Sequence, residues 1–318
     1  MSTWCVPGLA VALTLTVVLA VPVPAHGQTA ARASQPRVGL TAATCSASGV
    51  AVPTALRTAM GKLVWSKGLV PWTTWPVTVG TARWSVDLIV ARVDTRRVSL
   101  ELAIQRDGSA LAPWRIDNAP TDAVIALNAG QFTDDGPWGW VVHRGREWQP
   151  AGSGSLAAAF VIDSGGGARI VPATDIGAAR ARGGIREAVQ SYPQLLSGGA
   201  LPAALCDSAA VHPTHRDIRL AIGTKNDGSV LIVLSRYAGM GRAADRAPIG
   251  PTTHEMALVM ATLGVRDAVL LDGGLSGQLS IRDSGANSKT HDWPGLRGVP
   301  LALIGRAAAE LASPSLSR

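Results

Sequence analysis

Residues 98–104 read Val-Ser-Leu-Glu-Leu-Ala-Ile, apolar and polar in alternation, the pattern of a strand with one buried face. Residues 123–127 are a short, wholly apolar run. Residues 157–162 and 168–171 flank Ser164-Gly-Gly-Gly167 and predict a hairpin. A second hairpin is predicted from 218–222 and 229–234, joined through Lys225-Asn226-Asp227-Gly228. One helix is clearly marked: Thr252-Thr-His-Glu255 is a capping box, an apolar face follows at Met256, Ala257, Val259, Met260 and Leu263, and Gly264 ends it. Residues 267–271 then form a buried strand that runs into Asp272-Gly-Gly-Leu-Ser276. A further helix is predicted over 174–188. Strands outnumber helices and no internal linker is evident. The expected fold is therefore α+β, a single domain of mainly antiparallel or mixed β-sheet packed on a few helices. It spans residues 51–310, after a loose leader at 28–50 and before a tail at 311–318.

The N-terminus has a different pattern. Residues 9–23, about fifteen residues, are almost wholly apolar, short of the roughly 20 residues a membrane-spanning helix needs, and small residues follow at Ala25 and Gly27. This predicts a signal peptide over 1–27, cut near residues 25–28, and a secreted or periplasmic mature protein with no stable membrane insertion. No Lys or Arg precedes Arg32, so an uncleaved anchor is the alternative. Export changes the meaning of the cysteines. Cys5 lies inside the signal, and Cys45 and Cys206 remain as an even pair in an oxidising compartment, which predicts one disulfide.

Composition narrows the classes further. At 47% hydrophobic and 16% charged, the 318-residue chain is the reverse of a disordered one, and no repeat or heptad suggests a fibrous or solenoid protein. The net charge of +7 suits an anionic partner, though few acids and many arginines would give the same number. The arginines are spread out and no basic run interleaves with aromatics, so nucleic acid is not expected. There is no P-loop, dinucleotide fingerprint or nucleophile elbow. His212, His215, His254 and His291 are scattered, and Pro213 makes His212-x-x-His215 a loop, so neither a metal nor another cofactor is expected.

Four segments place polar residues and glycines at strand ends: Asn128-Ala-Gly-Gln-Phe132, Tyr192-Pro-Gln-Leu-Leu-Ser-Gly-Gly199, Arg219 on a strand ending in Gly223, and Asp272-Gly-Gly-Leu-Ser276. With Gly250-Pro-Thr-Thr-His-Glu255 opening the marked helix, they follow an order that resembles the phosphodiester glycosidase family over about 120–280. Three positions depart from its pattern. Leu220 stands where the family has Thr, Leu275 where it has a third Gly, and Leu234-Ser-Arg-Tyr237 where many members have Asp-Gly-Arg.

The resemblance implies hydrolysis of a sugar-1-phosphodiester, or an anionic polysaccharide containing one, at the anomeric carbon. The leaving phosphate departs as an anion, so a nearby cation can do much of a general acid's work. Arg219 fits as the phosphate clamp, since a guanidinium binds phosphate bidentately; pairing with a structural carboxylate is its alternative. Asp272 is the first choice of catalytic carboxylate beside an oxocarbenium-like transition state, and Glu255 the second, although the capping box accounts for a Glu at that position by itself. Asn128, Phe132, Ser197, Gly198, His215, Gly273, Gly274 and Ser276 are the expected substrate contacts, with Trp138 and Trp140 as rings on which a sugar could stack. Two other readings stay open: a non-catalytic polysaccharide- or cell-wall-binding protein on the same fold, and a phosphodiesterase attacking phosphorus.

Overall fold

Seven strands share a central sheet because their apolar residues face two cores at once. In this computed structural model, which describes residues 36–308 apart from 47, 108–109, 208–210 and 286–287, their order is Val38–Gly39, Trp72–Val79, Trp84–Val93, Val230–Tyr237, Leu220–Thr224, Asp267–Leu271, Gln194–Leu196. Every neighbouring pair is antiparallel except the first. Val230–Tyr237 and Leu220–Thr224 are buried at every position. Their odd and even residues face different cores: Leu220, Ile222, Ile232 and Leu234 one, Ala221, Leu231 and Val233 the other. Such strands read as continuous apolar runs, as these do in the sequence.

The first core is shared with two five-stranded antiparallel sheets. One has the order Thr290–Trp293, Leu279–Arg282, Ala123–Asn128, Leu301–Ala307, Val98–Ile104; the other Arg146–Gln149, Val141–His143, Ile185–Ser191, Ala158–Asp163, Ala168–Pro172. Leu100, Ile125, Phe160, Val189 and Leu303 carry their contributions into it. The second core is capped by helices α1 (Thr54–Gly61) and α3 (Thr253–Thr262) through Leu56, Met256, Val259 and Met260. Helix α3 is buried nearly all round, as a helix lying between a sheet and other chain must be. Its capping box is made as the sequence implies: Thr252 Oγ1 accepts from the Glu255 amide at 3.2 Å, and the Thr252 amide donates to Glu255 Oε2 at 2.9 Å. The architecture is the α+β fold expected, and both predicted hairpins form.

The helix expected over 174–188 is much shorter. Helix α2 covers only Ile176–Arg182, and Ile185–Ser191 is instead the middle strand of a five-stranded sheet. The break is Gly183-Gly184, both in the left-handed region at φ +67° and +71°, where a helix cannot continue.

The described part of the stretch expected as a loose leader is docked. Val38–Gly39 pairs with the central sheet, Leu40 and Ala43 are buried, and the Ala43 amide donates to the carbonyl of His254. The expected signal peptide at 1–27, the start of the leader and the 311–318 tail lie outside the described residues. Among the described residues no helix is long and apolar enough to cross a membrane.

Cys45 and Cys206 are disulfide-bonded, with Cα atoms 5.9 Å apart. The bond staples the docked N-terminal segment beside the start of α3, where His254 Nε2 meets the Leu205 carbonyl at 3.0 Å. It closes 161 residues of chain, for which loop entropy sets a limit of about 5 kcal/mol. The Cys45→Ala/Cys206→Ala variant is expected to lose about 3 kcal/mol of unfolding free energy in urea titrations. Coincident midpoints for the two proteins would show that the staple does not stabilise the fold.

Candidate active site

The antiparallel register of the central sheet builds the site. Leu220 lies opposite Leu271. One step beyond the strand ends, the same register sets Arg219 against Asp272; two further steps set Asp217 against Gly274. Residues 217 and 219 are two apart and so share a face of the chain. On the other flank Leu220 lies opposite Leu234, so Arg219 adjoins Ser235: the Arg219 amide donates to Ser235 Oγ at 2.7 Å, and the Ser235 amide to the Arg219 carbonyl at 2.9 Å. Arg219 and Asp272 are therefore placed by strand ends on rigid backbone.

The turn after Asp272 needs its glycines. A Cβ on Gly273 would sit 2.3 Å from the Ile218 carbonyl oxygen, and Gly274 has φ +52°. Their absence of side chains lets the turn fold against the neighbouring strand, where the Gly274 amide donates to the Ile218 carbonyl at 2.8 Å.

Arg219 and Asp272 open into one cavity of about 350 Å³, which Asp217, Arg297, Phe132 and Tyr192 also line. No ion pair joins Arg219 to a carboxylate among the described residues. Its Nε donates to the Pro251 carbonyl at 3.2 Å and its Nη2 to the His215 carbonyl at 3.0 Å. Neutral carbonyls thus fix the guanidinium without a direct carboxylate partner, which argues against the structural-pair alternative. Burial lowers its pKa, partly offset by the Asp217 carboxylate. A guanidinium still keeps its proton. The second cation, Arg297, lies 4.6 Å from the centroid of the Phe132 ring, a cation–π contact that orients it.

Asp272 is held in the opposite electrostatic state. Burial raises its pKa, Asp217 adds to the rise, and a Ser276 hydrogen bond, Arg297 and the Gly273 amide oppose it. The cavity thus offers two guanidinium groups to an anion and a poorly solvated carboxylate beside them. Among the described residues no group of three or more His, Cys, Asp or Glu could hold a metal ion.

A family model described as phosphodiester glycosidase matches residues 121–304, more than half of the chain and all of the residues that line the cavity. The chain belongs to the phosphodiester glycosidase family. Among solved structures, the zebrafish N-acetylglucosamine-1-phosphodiester alpha-N-acetylglucosaminidase catalytic domain, auto-inhibited by its pro-peptide, is similar over 76% of this chain and 85% of that chain, with a TM-score of 0.57 and 15% identity. At that identity the likeness is one of fold. A hypothetical protein from Synechocystis matches with TM-score 0.46 and 14% identity, over 77% of this chain and 64% of that one. A putative exported protein from Burkholderia pseudomallei matches with TM-score 0.44 and 16% identity, over 70% and 74%. No curated protein matches by sequence.

Within this family member the expected site residues divide into two groups. Arg219, Asp272, Gly273, Gly274, Ser276 and Phe132 all line the cavity. Asn128 lies beneath it, fully buried: its Nδ2 donates to the Asp272 carbonyl at 2.7 Å, and its Oδ1 accepts from the Gln278 amide at 2.9 Å. It therefore holds the backbone of Asp272 and is a positioning residue. Ser197 and Gly198 are at the wrong end of their strand. Gln194–Leu196 runs antiparallel to Asp267–Leu271, so its end meets Asp267, whose Oδ1 accepts from the Gly198 amide at 2.7 Å. The start of that strand, Tyr192-Pro193, is what reaches the cavity. His215 is exposed at the rim, its Nε2 3.9 Å from Asp217 Oδ2, and lends the site its carbonyl.

Glu255 does not line the cavity. Its carboxylate is buried and bidentate with Arg216, Nη1 to Oε2 at 2.6 Å and Nη2 to Oε1 at 2.9 Å, and Oε2 also accepts from the Thr252 amide. Trp140 is buried, and its indole Nε1 donates to Glu147 Oε2 at 2.9 Å. Gln131, Tyr192 and Leu275 also line the cavity, from segments that the sequence marked, whereas Asp217 and Arg297 line it without having been singled out. The two-residue spacing from Arg219 could have found Asp217. Arg297 comes from a loop, and nothing local marks it. Arg236, in the segment that departs from the family pattern, is buried under the site: its Nη2 donates to the carbonyls of Gly277, Trp293 and Pro294, and burial brings its pKa down to about 10.

Proposed function

We propose that the protein is an exported hydrolase that cleaves a sugar-1-phosphodiester at the anomeric carbon. The observation that carries this reading is the shared cavity of Arg219 and Asp272. In it, Arg219 with Arg297 binds the phosphodiester and stabilises the departing phosphate, whose charge grows as the glycosidic C–O bond breaks. Asp272 acts as the carboxylate that meets the developing oxocarbenium charge, and its poor solvation makes that interaction strong. Asp217 takes the second-carboxylate role that the sequence suggested for Glu255. Ser276 and the Gly273-Gly274 backbone hold Asp272 in place. Export is supported by the disulfide, which belongs in an oxidising compartment, and by the apolar run at 9–23.

The test is incubation of the protein with an α-N-acetylglucosamine-1-phosphodiester in ¹⁸O-labelled water. Free sugar carrying the label is expected. Label in the phosphate would replace this reading with attack at phosphorus, and tight binding without release would favour a binding protein. In the same assay Arg219→Ala is expected to lower kcat/KM by about 10²–10³-fold, because the developing phosphate charge then lacks its best-placed cation. An unchanged kcat/KM would remove Arg219 from the mechanism.

A further inference from the structure

Arg236 is buried, yet a single nitrogen makes its hydrogen bonds. It lies on Val230–Tyr237, next to the Ser235 whose hydroxyl accepts from the Arg219 amide. Its Nη2 donates to the carbonyls of Gly277 at 2.7 Å, Trp293 at 2.9 Å and Pro294 at 3.1 Å. Its Nε and Nη1 have no hydrogen-bond partner among the described residues. Buried donors without acceptors cost stability, so cohesion alone is a poor account of this side chain.

The carbonyls it gathers belong to the two segments that carry much of the site. Gly277 closes the turn that starts at Asp272: the amides of Ser276 and Gly277 both donate to the Gly273 carbonyl, at 3.0 and 3.1 Å. Trp293 and Pro294 open the loop that leads to Arg297. The two segments meet again at the cavity wall, where the amides of Leu296 and Arg297 donate to the Leu275 carbonyl at 2.7 and 2.9 Å. Between these contacts the fit is tight: a Cβ on Gly295 would lie 3.0 Å from the carbonyl oxygens of Leu275 and Ser276. Turn and loop are thus closed at two points, by the Leu275 carbonyl at one and by Arg236 at the other.

The second closure depends on charge. Carbonyl oxygens gathered within hydrogen-bond reach of one nitrogen repel one another, and a cation between them makes the gathering favourable. Without the guanidinium the turn and the loop would part at that end, and the strain would fall on the Leu275 contact beside Arg297.

We propose that Arg236 is a positioning residue: it sets the spacing between the turn at 272–277 and the loop at 293–297, and so holds the Asp272 carboxylate and the Arg297 guanidinium in the relative placement the reaction needs. This rests on the reaction proposed above and adds a residue that touches no substrate.

The experiment compares Arg236→Met and Arg236→Lys with the parent. Met keeps an unbranched stem and removes the donors. Lys keeps a charge and several N–H donors on one nitrogen, but its reach is a bond shorter. On an α-N-acetylglucosamine-1-phosphodiester, kcat/KM is expected to fall by about 10²-fold in Arg236→Met, the scale of a misplacement of about 1 Å, and by about 10-fold in Arg236→Lys. The loss in Arg236→Met/Arg297→Ala is expected to fall short of the product of the two single losses by about 10-fold or more, because one residue acts through the other. The pH limb of Asp272 is expected to move upward in Arg236→Met. The Ser276 hydrogen bond and the Arg297 charge hold that pKa down, and both weaken as the segments part, while Asp217 and Arg219, the other charged groups of the cavity wall, stay in place.

Amide hydrogen exchange reads the same clamp without activity. In Arg236→Met the Leu296 and Arg297 amides are expected to exchange about 10-fold faster or more, with those of Leu220–Thr224 in the central sheet unchanged. If Arg236→Met does not fold, the same readings on Arg236→Lys decide, with smaller shifts. Multiplicative losses with Arg297→Ala, or exchange that rises equally in the sheet, would overturn the proposal and leave Arg236 a stabiliser of the fold. So would parental kcat/KM in both variants of a parent that cleaves. A parent that cleaves no sugar-1-phosphodiester, with the local rise in exchange, would overturn the reaction and retain the clamp on turn and loop. No cleavage and no local rise would overturn both.

Discussion

Asp272→Asn is expected to lower kcat/KM on a sugar-1-phosphodiester by about 10³-fold, or about 4 kcal/mol of transition-state stabilisation. The side chain keeps its size and can still meet Ser276, so the loss isolates the charge. The fold should not suffer. Burial raises the pKa of Asp272 above its ordinary 3.8, which means that ionisation is harder in the folded protein than in the unfolded chain. Its linked contribution to stability is fully present below the unfolded value and is lost as pH rises through the higher folded one. At neutral pH the native protein therefore carries a penalty that the Asn variant lacks, and the variant's urea midpoint is expected to equal or exceed that of the parent. The pH profile supplies a second reading. If ionised Asp272 does the work, activity in the parent rises with pH through a limb displaced upward from 3.8, and that limb is absent from the residual activity of the variant. A variant with near-parental kcat/KM would sink the assignment.

Glu255→Ala is expected to act on stability, by about 4 kcal/mol, with kcat of the folded protein little changed. The substitution strands the half-buried Arg216 guanidinium without its bidentate partner and takes away the acceptor for the Thr252 amide at the start of α3. It thereby combines an uncompensated charge with a damaged cap. Removing both charges with Arg216→Met/Glu255→Met is expected to restore much of the loss, since a buried pair replaced by apolar groups is close to neutral. Urea titrations of the three variants, with kcat measured well below the melting temperature, separate the roles. A large fall in kcat at an unchanged urea midpoint would return Glu255 to the catalytic machinery.

These two carboxylates show what the sequence could and could not disclose. Each ends a recognisable segment, and both were legible as candidates. What separates them is register. Asp272 leaves a strand whose antiparallel neighbour delivers Arg219 to the same edge, whereas Glu255 turns back on its own helix start and finds Arg216. Hairpins and the α3 boundary were legible because they depend on local turn and cap chemistry. The strand Ile185–Ser191 was not, because it becomes a strand only by pairing with Ala158–Asp163 and Val141–His143, which lie elsewhere in the chain. Ser197 and Gly198 lie away from the cavity for a related reason. Which end of a short strand faces a cavity is decided by the direction of its partner, and no property of residues 192–199 records it. Arg297 was invisible because a loop guanidinium acquires its role only from the Phe132 ring beneath it.

Asn128 joins the carbonyl of Asp272, just past a strand of the seven-stranded sheet, to the amide of Gln278, beside a five-stranded one. A single amide thus works as a rivet between two layers that could otherwise slide. Sub-ångström slippage at the buried seam would be passed to the reacting carboxylate without any cavity side chain being altered. Catalytic alignment and interlayer cohesion are in this sense one property, and variants that loosen the seam far from the cavity are expected to lose turnover at temperatures where they still give the circular dichroism of the folded protein.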